Sequence, residues 1–183
     1  MLTIDPHNLA EVLASITLLG AATGHQAEAG DLVASLRSRL DAVQGQVAAR
    51  SGGAAPRVLL LEWTDPPFAP GHWVPEMVTM AGGVPTIGQA GAKSVRVTWD
   101  QAFAVPPDVV VCAPCGFDLP GSTALAQDLV SSGVVPGHTP VWAVDANASF
   151  ARPGPRLVDG VETLTQLLAH PDRPVEGAAE RIR

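Results

Sequence analysis

Tyrosine is absent from the 183 residues, lysine occurs once (Lys93), and cysteine occurs twice (Cys112 and Cys115). Each scarcity excludes something. Two cysteines are too few for a disulfide scaffold. With ten Arg and one Lys against 18 Asp and Glu, the net charge is −7. No Lys/Arg cluster occurs anywhere, so a phosphate-backbone or anionic-membrane partner is not expected. No apolar run approaches the ~20 residues of a spanning helix, so membrane insertion is not expected either. Met1-Leu2-Thr3-Ile4-Asp5-Pro6 lacks the basic start and small-residue cleavage site of a secretory leader. On the sequence as written the expected location is the cytoplasm. A serine-nucleophile elbow, a phosphate-binding loop and a G-x-G-x-x-G turn are all missing, and no paired carboxylates stand out. No catalytic or metal-ligating residues are assigned, and an enzyme is not expected.

What is present is apolar and turn-rich. Hydrophobic residues make up 46% and charged residues 16%, which requires a packed core. The 18 Gly and 17 Pro belong in turns and in loops between short elements. Leu9, Val12, Leu13, Ile16 and Leu19 recur on one helical face, with a cap expected in Thr3–Pro6 and a stop or break at Gly20 and Gly24. Leu32, Leu36, Leu40, Val43 and Val47 predict a second, long helix over about 25–50, lying across another layer. Ser51-Gly52-Gly53-Ala54-Ala55-Pro56 reads as a linker.

Beyond it the pattern changes. The apolar runs Arg57–Glu62, Pro107–Cys112 and Thr139–Asp145 predict buried parallel strands, and Ser94–Val97 a short edge strand. Helical patterns cover about 74–81, 99–104, 119–131 and 156–169. This alternation predicts an α/β fold with a mainly parallel sheet flanked by helices. The expected division is a helical region over 1–52, an α/β lobe over 53–171 and a loose tail over 172–183.

Ligands of open parallel sheets bind beyond the carboxyl ends of the strands. The loops after the three strand runs hold Trp63, Phe68, Trp73, Phe117 and Phe150, five of the eight aromatics. Rings on proline-stiffened loops suit a flat, bulky ligand or a partner. Asp65, Asn147 and Arg152 add polar groups there. The competing reading packs these rings under their own loops. Cys112-Ala113-Pro114-Cys115 has the spacing of a dithiol redox site, but Gly116 and Pro120 delay the helix such a site needs. Two inert thiols is the favoured reading, with a dithiol oxidoreductase as the alternative.

Four stretches carry a resemblance: Asp5–Leu40, Trp63–Trp73 with Met80–Gly83, Val97–Trp99 with Pro107–Val111, and Phe150–Gly160. With Pro114–Phe117 they resemble the carboxyl-terminal part of a class III substrate-binding protein, of the cobalamin and iron-siderophore group of ABC transporters. The resemblance spans about residues 3–170. It implies one α/β lobe of a two-lobed binder, preceded by an interlobe helix. It also implies Phe68, Trp99, Phe150 and Arg152 as ligand-facing, with Trp63, Asp65 and Phe117 beside them. A corrinoid is the implied ligand, as cargo rather than cofactor, and a ferric siderophore or haem is the alternative. An ABC permease and a second lobe or chain are the implied partners. An extracytoplasmic location follows if the chain is an amino-terminally truncated binding protein.

Overall fold

Helix α1 (Leu9–Thr23) and helix α2 (Gln26–Ala48) open the structure, a computed structural model that describes residues 2–50 and 53–183. The cap of α1 is Asn8 rather than Thr3–Pro6. Its side chain accepts from the Glu11 amide at 2.8 Å, and the Glu11 carboxylate accepts from the His7 amide at 2.6 Å. The Asn8 contact satisfies one of the amides that a helix start leaves open, and the Glu11 contact ties the preceding residue to the first turn. Gly24 ends α1 in the left-handed region at φ 78°. Gly20 does not break the helix. A Cβ there would run into Ala29 of α2, so its bare backbone lets the two helices cross closely. That contact sets the rotation of α2. Ala29, Val33, Leu36, Leu40 and Val43 face inward, while Leu32, expected on this face, is exposed. Leu19, expected on the buried face of α1, is exposed too.

The main sheet contains β4 (Val84–Pro85), β1 (Arg57–Leu61), β6 (Val109–Cys112), β7 (Val141–Val144) and β8 (Ala179–Arg181), in that order. The first four are parallel and β8 is antiparallel to β7. Strand side chains alternate between faces, and both faces are buried here, which is why β1 and β6 read as unbroken apolar runs. Val58, Leu60, Val111, Trp142 and Val144 share one cluster with α1, α2, helix α3 (Val74–Met80) and helix α7 (Leu157–Ala169). Leu59, Leu61, Val110, Cys112, Val141 and Ala143 meet Ala102 of helix α4 (Trp99–Ala102) and Ala126 and Leu129 of helix α5 (Leu119–Ser131). The first cluster thus runs continuously from the two opening helices through the sheet. Arg39 fastens α2 to α7: its guanidinium donates to Glu162 at 2.8 and 2.6 Å and to Asp159 at 2.6 Å.

The tail expected to be loose over 172–183 is a correction. β8 pairs Ala179 with Val144 and Arg181 with Trp142. The Arg183 guanidinium donates to the carbonyls of Pro136 at 2.7 Å and Thr139 at 3.1 Å. The segment closes the sheet edge that β7 would otherwise leave open. The expected edge strand around Ser94–Val97 is real but belongs elsewhere. β5 (Val95–Arg96) pairs antiparallel with β3 (Pro67–Ala69), which pairs with β2 (Trp63–Thr64), in a separate small sheet. The one remaining helix, α6, is a single turn over Ala146–Ser149. Ser51 and Gly52 of the expected linker, and Met1, lie outside the described residues.

Among the described residues no helix is long and apolar enough to cross a membrane.

Candidate functional site

The carboxyl ends of β1, β6 and β7 are tied together through backbone. Ala113 donates to the Leu61 carbonyl at 2.9 Å, Cys115 to Glu62 at 3.1 Å, Glu62 to Phe68 at 3.1 Å and Asn147 to Phe117 at 2.9 Å. Loops bound this way make a rigid platform for side chains. A cleft of about 390 Å³ sits on it, lined by Glu62, Trp63, Pro66, Phe68 and Cys115.

Three of the expected ligand-facing rings meet here. Trp63 and Phe68 are directly opposed in the β2–β3 pairing, so both rings leave the same face of the small sheet. Phe117 packs edge-on to Trp63, with centroids 5.5 Å apart and planes at 60°. The Trp63 indole N–H donates to the Asp65 carbonyl at 2.9 Å, which fixes the ring's tilt. Asp65 therefore acts here through its backbone, and its side chain is exposed. Phe117 owes its place to α5. Asp118 caps that helix by accepting from the Gly121 amide at 3.0 Å, and a Cβ at Gly121 would collide with the Phe117 ring.

Four other expected residues lie apart from this group. Phe150 is 4% exposed and belongs to the first core cluster. Trp73, also read as a loop ring, is buried and donates its indole N–H to the Phe150 carbonyl at 2.8 Å. These two follow the reading in which rings pack under their own loops. Phe150 terminates the short α6, and that turn swings it inward to α7. Trp99 stacks on Phe103, centroids 6.0 Å apart, at the rim of the second core cluster. Arg152 is exposed in the α6–α7 loop and makes no hydrogen bond or ion pair among the described residues.

Glu62 was not singled out by sequence, although a charge ending the run Leu59-Leu60-Leu61 is a visible signal. Its carboxylate accepts from the Ser94 hydroxyl and, at 3.4 Å, from the Gly71 amide. Burial raises its pKa above the ordinary glutamate value, and the two hydrogen bonds oppose that rise. The cleft floor therefore carries a partly desolvated carboxyl group.

The two cysteines are free. Burial pushes the Cys112 thiol up to about 12, and burial together with the Glu62 charge raises Cys115. A dithiol redox pair needs a lowered pKa at its attacking sulfur, so this chemistry runs the wrong way for the oxidoreductase alternative. Cys115 instead lines the cleft wall.

A larger cavity, about 870 Å³, lies at the amino end of β1, between Pro56, Arg50, Gly82 and His170. It faces the end of the sheet opposite to the one where open parallel sheets take ligands.

The sequence matches the model of the periplasmic binding protein family over residues 2–137. A comparison with the curated proteins returned no match by sequence. Several solved structures share the fold. An ABC transporter substrate-binding protein from Listeria monocytogenes EGD-e is 19% identical with a TM-score of 0.72, over 90% of this chain and 66% of that one. A periplasmic heme binding protein from Pseudomonas aeruginosa is 20% identical with a TM-score of 0.75, over 96% and 65%. The periplasmic vitamin B12 binding protein of Vibrio cholerae is 24% identical with a TM-score of 0.59, over 91% and 63%. The chain spans less than two thirds of the length of each of these three proteins.

Proposed function

Because the chain belongs to the periplasmic binding protein family, we propose that it captures a corrinoid for an ABC uptake system, without chemical change to the ligand. The observation that carries this reading is the paired Trp63–Phe68 face, buttressed by Phe117, over a cleft beyond the carboxyl ends of β1 and β6. Flat rings on a stiff backbone offer a large apolar area at low ordering cost, which suits a broad macrocycle. Glu62 supplies a carboxyl group able to meet the ring's peripheral amides. The similar solved structures include a vitamin B12 binder and a heme binder, so the fold alone does not choose between ligands. Cobalt arrives inside the corrin as cargo, and no protein ligand to it is required.

In this role the ring lies between the aromatic face and a second lobe, and the closed complex docks on an ABC permease. The proposed location is outside the cytoplasm, as the family's periplasmic description suggests. The cytoplasmic expectation drawn from the sequence has no support in the comparisons.

Titration with cyanocobalamin, followed by calorimetry and by tryptophan quenching, tests the reading. Saturable binding at micromolar ligand, about −8 kcal/mol, is expected. Flat heats and unchanged fluorescence up to the ligand's solubility limit would reject it.

A further inference from the structure

Resting on that reading, we infer that Arg96 recognises a carboxylate on the rim of the macrocycle, so that the preferred ligand is an acidic corrinoid rather than a fully amidated one. The register of the small sheet carries the inference. Phe68 faces Trp63 on one side and Arg96 on the other. Directly opposed residues of antiparallel strands leave the same face, so Trp63, Phe68 and Arg96 form one row across three strands. Two strand spacings separate the ends of that row, about 10 Å, the scale of a tetrapyrrole macrocycle. A ring resting on Trp63 and Phe68 therefore brings its edge to Arg96.

What sets Arg96 apart from the other arginines without a partner among the described residues, such as Arg152, is its place in the aromatic row. Arg39, Arg57 and Arg181 are each paired with a carboxylate. Arg50 and Arg183 donate to backbone carbonyls. Arg96 is exposed and makes neither an ion pair nor a hydrogen bond among the described residues. Glu62, the acidic group of the cleft lining, accepts from Ser94 and Gly71 and forms no ion pair with Arg96 among the described residues. In a chain of net charge −7, a cation left unpaired at the end of an aromatic row is available to a ligand. A guanidinium binds a carboxylate through two parallel hydrogen bonds, whereas a neutral amide offers it one acceptor oxygen.

The test uses two probes that share one ring. Cyanocobalamin has only amides at the relevant rim positions, and in each of its isomeric monocarboxylic acids one amide is hydrolysed. Each probe is titrated against the native chain, Arg96→Gln and Arg96→Lys. The native chain is expected to prefer at least one acid isomer by about tenfold, the scale of a charge-assisted hydrogen bond. Arg96→Gln should abolish that preference, so that the acid isomer binds no tighter than cyanocobalamin. Arg96→Lys should keep part of it, and added salt should shrink it. If the native chain binds both probes equally, the inference fails and the corrinoid reading stands. A preference that survives Arg96→Gln also overturns the role of Arg96. If neither probe binds, the corrinoid reading itself falls, and the inference with it.

Discussion

The ring of Phe117 meets the indole of Trp63 edge-on, 5.5 Å between centroids. The two residues come from different strand ends, Trp63 from β2, which follows β1, and Phe117 from the loop after β6. Their contact joins the small sheet and the loop after β6 into one surface. Edge-on aromatic pairs contribute about 0.5–1.5 kcal/mol beyond their buried area. A double-mutant cycle with Trp63→Ala and Phe117→Ala should therefore show a coupling of about 1 kcal/mol in urea unfolding. Strict additivity would mean that the rings do not support one another.

Phe150 separates packing from binding. The sequence places it with the ligand, and the structure places it in the core. Phe150→Ala should cost about 3–5 kcal/mol in urea unfolding, the usual loss for a buried aromatic. The fraction that remains folded should bind ligand as the native chain does. A stable variant with weakened binding would return Phe150 to the site.

Glu62 gives a pH dependence of definite sign. Its folded pKa is raised above the unfolded value by burial, so the folded state holds the proton more tightly. Stability then falls as pH rises from the ordinary glutamate range through the raised pKa. Glu62→Gln removes that fall. The stability of Glu62→Gln relative to the native chain should thus improve as pH rises from the ordinary glutamate range through the raised pKa. A difference that is flat with pH, or that runs the other way, would show that the carboxyl group is not desolvated.

The cysteines should differ sharply toward a thiol reagent. Cys112 is fully buried in the sheet and should react only after unfolding. Cys115 should react in the native state, slowly at neutral pH and faster as pH rises, because its pKa is raised. Since Cys115 lines the cleft, saturating ligand should protect it. Modification of Cys115 at the same rate with and without ligand would place the ligand elsewhere.

Much of the architecture was legible in the chain. The buried runs at Val58–Leu61 and Val109–Cys112 could be read because both faces of the sheet are covered, which leaves an unbroken apolar signal. β2 and β3 carried no such signal. They are two and three residues long, and Pro67 opens the second, so their pairing depends on the tertiary setting. β8 was hidden for a related reason: only Ala179 of its three residues is buried. The site was half legible. Loop position predicted Trp63, Phe68 and Phe117, yet could not tell them from Trp73 and Phe150, because inward or outward direction is set by α3 and α6. Arg96 could not be aimed from sequence at all, since its direction follows from the Phe68 pairing alone.

The most direct measurement is a side-by-side calorimetric titration of the native chain and Trp63→Ala with cyanocobalamin. Trp63 is half-buried and outside both core clusters, so the variant should fold. The native chain should bind saturably, and the variant should lose about tenfold or more in affinity, as expected of an aromatic anchor at the centre of a contact. Equal affinities for the two proteins would contradict the site, and an absence of heat from both would contradict the ligand.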